Sequence, residues 1–375
     1  MLPVVWLVGT SGVGKSTVGW QVRADLAAAG VAAAFVDSDQ LRLAVGLGGA
    51  FETELIARSL RALEPGYRDA GAALLVVAGL ADDPAHLSEL LPGVRRADIL
   101  VCHLHADDAA IRDRILRRGW QVYLAGSEVE YATRIDRGWA DLRIDTSTLS
   151  PGDVAATVSR AALAHLRRVP RGASRDAAEG TDGRSADGLS ARVLLLAGPG
   201  GVGTSTIGFE VYRQLAKSGR RVGYLDLHQL GFVGADPRGD QLAFLRSRNA
   251  RAAAATLAGT GIDTIVITAD LVTAKVVLDT PQWRDTDVMA FELHADPSTI
   301  AERIRLRAQG HAPPIAGDHR RGLSGHALDE SINTSLAEAS QRRFRIAGAN
   351  RVSADAAEPA TTATSIISTA GLSRC

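Results

Sequence analysis

The chain has 375 residues, enough for two or three domains, and its 46% hydrophobic and 22% charged content suits a soluble globular core. Its 42 Lys and Arg balance 42 Asp and Glu, so no net charge draws it to nucleic acid or to an anionic membrane, and any anion site must be local. Two cysteines, Cys102 and Cys375, make no disulfide framework and fit a reducing, cytoplasmic setting. The opening Met1–Val8 lacks the basic start and apolar length of a signal peptide, and no run reaches membrane-spanning length.

Val4–Val8 is a continuous apolar run, as in the buried centre of a parallel sheet. A glycine-rich stretch follows, then a helix over Ser16–Ala29 that stops at Gly30, a good cap. Ala33–Val36 reads as the second strand and Thr53–Leu63 as a helix. Ala72–Ala78 and Ile99–His103 read as further strands, with a helix over Ala109–Arg118. Leu142–Ile144 precedes a last helix, Pro151–Leu166, with Ser150 as N-cap and proline at the first helical position. Strands alternating with helices predict a parallel, doubly wound α/β sheet, with binding residues at the carboxyl ends of the strands. Residues 169–190 are small, polar and glycine-rich and read as a flexible linker. Ser353–Cys375, rich in Ala, Thr and Ser, is expected to be partly disordered.

The two sides of the linker repeat each other. Leu7–Leu41 aligns without gaps on Leu196–Leu230, with roughly 15 identities in about 35 positions. Leu104–Asp107 likewise matches Leu293–Asp296, and Arg114 falls on Arg303. The chain reads as a tandem duplication.

The strongest motif is Gly9-Thr10-Ser11-Gly12-Val13-Gly14-Lys15-Ser16, followed by Thr17. Glycines at this spacing let successive N–H groups turn inward around phosphate oxygens, and the next helix aims its positive end at the same anion. Lys15 is expected at the β- and γ-phosphates of ATP and the Ser16 hydroxyl on Mg²⁺. Downstream, Asp37-Ser38-Asp39 ends the second strand. One carboxylate, Asp37, would serve the metal, while Asp39 accepts the proton of an attacking hydroxyl and Arg42 fixes the acceptor. A capping turn is the plainer reading of such a pair. No strand of the first half ends in the Asp-Glu pair that a motor ATPase needs, since Leu75–Gly79 ends without acid.

The combination of Gly9–Thr17 with Asp37-Ser-Asp39-Gln-Leu-Arg42 resembles adenylylsulfate kinase and the wider group of small P-loop kinases, including shikimate-, gluconate- and antibiotic-modifying types. The resemblance implies two tandem P-loop NTPase domains, each a doubly wound, mostly parallel sheet flanked by helices, at 1–168 and 191–375. It implies an arginine-rich lid, here Arg112, Arg114, Arg117 and Arg118, of which Arg114 and Arg118 share a helix face and would act on the transferring phosphoryl group. A solvated basic face is the alternative for each. It also places Ile144-Asp145-Thr146-Ser147 beside the base. The stretch 46–68 departs from the adenylylsulfate enzymes, so their substrate does not carry over. Arg58 and Arg68 are the candidate acceptor-binding residues there, with Arg61 beside them. His103 and His105 are read as facing opposite ways, hence as no metal pair.

In the second copy Thr204 replaces the lysine. A unit charge ~4 Å from a phosphate oxygen, at a dielectric near 20, interacts by roughly 4 kcal/mol, up to about a thousandfold in rate. His228 stands for Asp39 and Gly231 for Arg42. The second half therefore reads as a pseudokinase and the first as an ATP- and Mg²⁺-dependent kinase of a small hydroxyl- or phosphate-bearing molecule. A nucleotide-binding regulator without transfer and a nucleoside monophosphate kinase remain as alternatives.

Overall fold

The computed structural model describes residues 1–46, 51–117, 122–134, 138–169, 188–235, 239–311, 315–355 and 358–373. The linker reading therefore lies mostly outside the described residues, as do Arg118 and Cys375.

The first half runs β1 (Val4–Val8), α1 (Lys15–Ala28), β2 (Ala33–Asp37), β3 (Ala44–Val45), α2 (Phe51–Asp69), β4 (Leu74–Ala78), α3 (Pro84–Leu90), β5 (Ile99–His105), α4 (Asp108–Arg117), α5 (Ala125–Arg134), β6 (Leu142–Asp145) and α6 (Pro151–Arg168). The second runs β7 (Arg192–Gly198), α7 (Thr204–Lys217), β8 (Val222–Asp226), α8 (Asp240–Gly259), β9 (Thr264–Asp270), α9 (Leu271–Asp279), β10 (Val288–His294), α10 (Pro297–Ala308), α11 (Gly325–Ser340), β11 (Asn350–Ser353) and α12 (Pro359–Thr369). The fold is α/β, with mostly parallel sheets flanked by helices.

The first sheet has the order β2-β4-β1-β5-β6, and β8-β9-β7-β10-β11 repeats that order in the second; all of these pairs are parallel. Every residue of β1 is buried, because the strand is central and covered on both faces, which is why its apolar run shows no alternation. Ser150 accepts from the Asp153 amide at 3.2 Å and starts α6 as expected.

The halves meet through a reciprocal exchange. β3, only two residues long, leaves the first half and pairs antiparallel with β8, adding a sixth strand to the second sheet. In return Val233 bridges antiparallel to Ala34 on the free edge of β2. The amide of Tyr224 donates to Leu43 O at 2.8 Å, and the amide of Phe35 donates to Phe232 O at 3.0 Å. These pairs occupy matching positions in the two halves, so the contact has approximate twofold symmetry, and each edge strand is covered by the other half. α2 packs on α8, and one hydrophobic cluster runs from Trp6, Leu60 and Tyr67 to Leu195, Leu245 and Ile267. Phe232 packs edge-on to Trp20 with ring centroids 4.6 Å apart. Buried Arg23 stacks its guanidinium on Trp20 and donates to Gly234 O at 2.5 Å.

Three expectations are corrected. Residues 353–373 are not disordered where described: α12 packs on α7 and buries Ala363, Ile366 and Ile367. Pro359 at its start and a few apolar residues at helical spacing suffice for an element that composition concealed. His103 and His105 share a face, with rings 5.5 Å apart, because residues two apart on a strand point the same way. The helix read over Thr53–Leu63 reaches Asp69 and passes through Pro65.

Candidate active site

The phosphate loop joins β1 to α1 at the carboxyl edge of the sheet. A side chain at Gly9 would meet Leu104 O at 2.2 Å, so the loop can pass β5 this closely only with glycine there. Gly14, at φ 98°, ends the loop in the left-handed conformation and caps α1. Val13 is buried against the core, while Thr10, Ser11, Gly12 and Gly14 complete the turn. Lys15 folds its ammonium back on Gly9 O at 2.7 Å and Thr10 O at 2.9 Å. Thr17 is exposed on the first turn of α1.

Below the loop, Ser16 Oγ donates to Asp37 Oδ2 at 2.5 Å, joining the start of α1 to the end of β2. Asp37 also accepts from the Asp39 amide at 3.1 Å, closing a tight turn. Burial and then the neighbouring Asp39 carboxylate push the Asp37 pKa up to about 6, against the opposing bond from Ser16. Asp39 pairs with Arg42 at 3.0 Å, and Arg42 is held a second time by Glu52 at the start of α2.

Hard oxygen donors of this kind suit Mg²⁺. The Ser16 hydroxyl and the Asp37 carboxylate already converge beside the loop, so the residues present fit a magnesium–nucleotide complex. Among the described residues no group of three or more His, Cys, Asp or Glu is placed to hold a metal. Phosphates and water would thus supply the ion's other ligands.

The remaining candidates are spread apart. Arg114 donates to Thr146 Oγ1 at 3.0 Å and to Thr146 O, and Thr146 Oγ1 lies 3.0 Å from His105 O and 3.3 Å from Val13 O. Arg114 is therefore a brace behind the loop rather than a free lid charge. Asp145, at the carboxyl end of β6, accepts from the Ser147 hydroxyl and amide, and these bonds lower its pKa. Arg58 pairs with Glu54 on the surface of α2. Arg68 is a correction: it pairs with Glu64, whose carboxylate also takes the Leu2 amide at 2.8 Å, before β1 begins. α2 runs back from the loop edge, which puts Arg68 at the wrong end of the sheet for an acceptor.

Sequence reading missed Glu128. From α5 its Oε2 accepts the Ser11 amide of the loop at 2.7 Å. Nothing in the sequence singles out one glutamate of a short helix.

The second loop keeps the backbone form, with Gly203 at φ 101° capping α7, and keeps Ser205 Oγ to Asp226 Oδ2 at 2.8 Å. Its surroundings differ. His228 Nδ1 lies 3.1 Å from Asp226 Oδ1, and its Nε2 lies 3.8 Å from Asp270 Oδ2. Burial pushes the Asp226 carboxyl up, but the bond and charge of His228 outweigh it and leave the pKa below the ordinary value. Arg246 fills the space beside Gly231 and pairs with Asp270 at 2.9 Å. Lys275 is spent on Arg343 O, and Lys217 sits at the far end of α7, so neither replaces the loop lysine.

Comparison with known proteins finds a match within the first half. The family model described as adenylylsulphate kinase matches residues 2–63, the stretch holding the loop, Asp37, Asp39 and Arg42. Over that stretch the chain is similar to the P-loop small-molecule kinases. Solved structures similar to part of the chain include a gluconokinase from Sinorhizobium meliloti 1021, at 22% identity over 44% of this chain and 93% of that one, with a TM-score of 0.30. The APS kinase of Mycobacterium tuberculosis in complex with AMPPNP and APS has 22% identity over 44% of this chain and 98% of its own, at 0.31. A shikimate kinase from Acinetobacter baumannii in complex with shikimate has 21% identity over 45% and 97%, at 0.30. No curated protein matches. Among the described residues no helix is long and apolar enough to cross a membrane.

Proposed function

We propose that the first half is an ATP-dependent phosphotransferase acting on a small molecule through a hydroxyl or phosphate acceptor, in the cytoplasm. The second half is a pseudokinase copy that arose by tandem duplication. The observation that carries the reading is the Ser16–Asp37 hydrogen bond at 2.5 Å directly under a lysine-bearing phosphate loop, with Asp39 and Arg42 on the next turn. The family match over residues 2–63 covers all of these groups.

Mg²⁺ would neutralise charge on the β- and γ-phosphates when bound. The chain supplies the rest. Loop amides and Lys15 hold the phosphates, and Ser16 and Asp37 orient the metal side. Arg42, fixed by Asp39 and Glu52, meets a polar or anionic acceptor. Asp39 takes the proton as the acceptor oxygen bonds to the γ-phosphorus and the bond to the β-phosphate oxygen breaks, leaving ADP. In the second half Thr204 cannot hold phosphate charge, and His228 in the place of Asp39 is turned onto Asp226 and Asp270.

Calorimetric titration with Mg·ATP tests the division of labour. One site per chain is expected, lost in Lys15→Ala and kept in Thr204→Ala. Two equivalent sites, or binding indifferent to Lys15, would overturn it.

A further inference from the structure

In each half a carboxylate from the helix after the arginine helix accepts a backbone amide of the glycine-rich loop. In the first half the Ser11 amide donates to Glu128 Oε2 at 2.7 Å. In the second the Gly200 amide donates to Glu338 Oε2 at 3.2 Å. Ser11 and Gly200 are the same position of the repeat. Glu128 belongs to α5 and Glu338 to α11, the helix that follows the arginine helix in each half.

The position taken is that of an anion. Ser11 and Gly200 lie in the glycine-rich loops four residues before α1 and α7 begin, where loop amides are available to an anion, and a carboxylate oxygen has the charge sign and hydrogen-bond demand of a phosphate oxygen. Lys15 agrees with a loop in this state, since its ammonium is satisfied by the loop's own carbonyls. α5 is tethered on its other side too, because the Tyr131 hydroxyl donates to Asp82 in the segment after β4. The helix is thus bonded both to the phosphate loop and to the segment that follows β4. In the second half burial raises the Glu338 pKa, while its bond from Gly200 opposes that shift.

We propose that Glu128 is an internal phosphate mimic that latches α5 over the first loop, and that ATP binds by expelling it. The inference rests on the nucleotide-binding reading of that loop. A latch of this kind makes apparent affinity the intrinsic affinity reduced by the fraction of molecules already open. It also keeps an empty loop from taking up stray inorganic anions. Because the carboxylate comes from α5 and meets the loop only at a backbone amide, changing Glu128 leaves the loop residues themselves intact.

The test is equilibrium binding of Mg·ATP to the full chain as wild type, Glu128→Gln, Glu128→Ala and Tyr131→Phe. Removing the charge or the far tether is expected to tighten binding, by about five- to twentyfold for Glu128→Ala and less for Tyr131→Phe. Glu128→Gln keeps shape and one acceptor, so its gain reports the charge alone. A thermal melt on each variant confirms folding. Unchanged or weaker binding in both Glu128 variants overturns the latch while leaving the nucleotide site standing. No binding by wild type or any variant overturns the nucleotide reading, and the latch with it.

Discussion

Asp37 and Asp226 accept the same hydroxyl bond from Ser16 and Ser205, yet their pKa values move in opposite directions. The difference is one neighbour: a second carboxylate, Asp39, beside Asp37, and an imidazole, His228, beside Asp226. A pair of like charges at a strand end stores repulsion that a cation relieves, whereas a carboxylate already bonded to an imidazole has less to gain.

The sign of the pH dependence follows. Asp37 has its folded pKa raised from 3.8 to about 6, so the folded state without metal holds more protons than the unfolded chain between those values. Stability without metal should therefore fall as pH rises from ~4 through ~6. Asp37→Asn should remove that fall and stabilise the metal-free protein at pH 7 by about 3 kcal/mol at most, at one pKa unit per ~1.4 kcal/mol. Melting curves between pH 4 and 8 check this. The same variant should lose Mg²⁺-dependent ATP binding, and wild-type Mg²⁺ affinity should drop below pH 6.

His228→Asp should reproduce the first-half arrangement in the second. Like charge beside Asp226 should raise its pKa and destabilise the protein at pH 7 by about 1–2 kcal/mol, with relief on acidification. Chemical denaturation at pH 7 and pH 5 measures the two arms. No kinase activity is expected to appear, because Thr204 still lacks the charge.

The exchange between halves is the third point of test. Phe232→Ala empties a site walled by Trp20 and Phe35 and should cost roughly 3–5 kcal/mol. Arg23→Ala strands the Gly234 carbonyl and bares the Trp20 face, for about 2–4 kcal/mol. Both residues lie away from the phosphate loop, so the loss should appear first in thermal melting of the full chain, with ATP affinity changing severalfold at most.

Much of this was legible in the residues. The apolar run of β1, the glycine spacing of the loop and the Ser150 cap are local signals, and each appears where pattern places it. The identities between the halves accompany one strand order that recurs in both sheets. What stayed hidden depends on how the chain returns. β3 is two residues and has no periodicity to detect, so nothing announced that it crosses to the other sheet. Arg68 looked plausible until the direction of α2 put it at the amino end of the strands. The resemblance to small kinases gave Arg114 a place at the phosphoryl group, whereas its bonds here go to Thr146, a partner far away in sequence. Glu128 depends on α5, a helix that sequence reading did not place.

The most direct measurement is ADP release from ATP and Mg²⁺ with a panel of small hydroxyl and phosphate acceptors, run on wild type, Lys15→Ala and Asp39→Asn. The account predicts that at least one acceptor stimulates wild-type turnover, that Lys15→Ala loses it by about a hundredfold or more, and that Asp39→Asn still binds ATP but loses the stimulation. Tight ATP binding with no acceptor raising turnover above the Lys15→Ala background would contradict it.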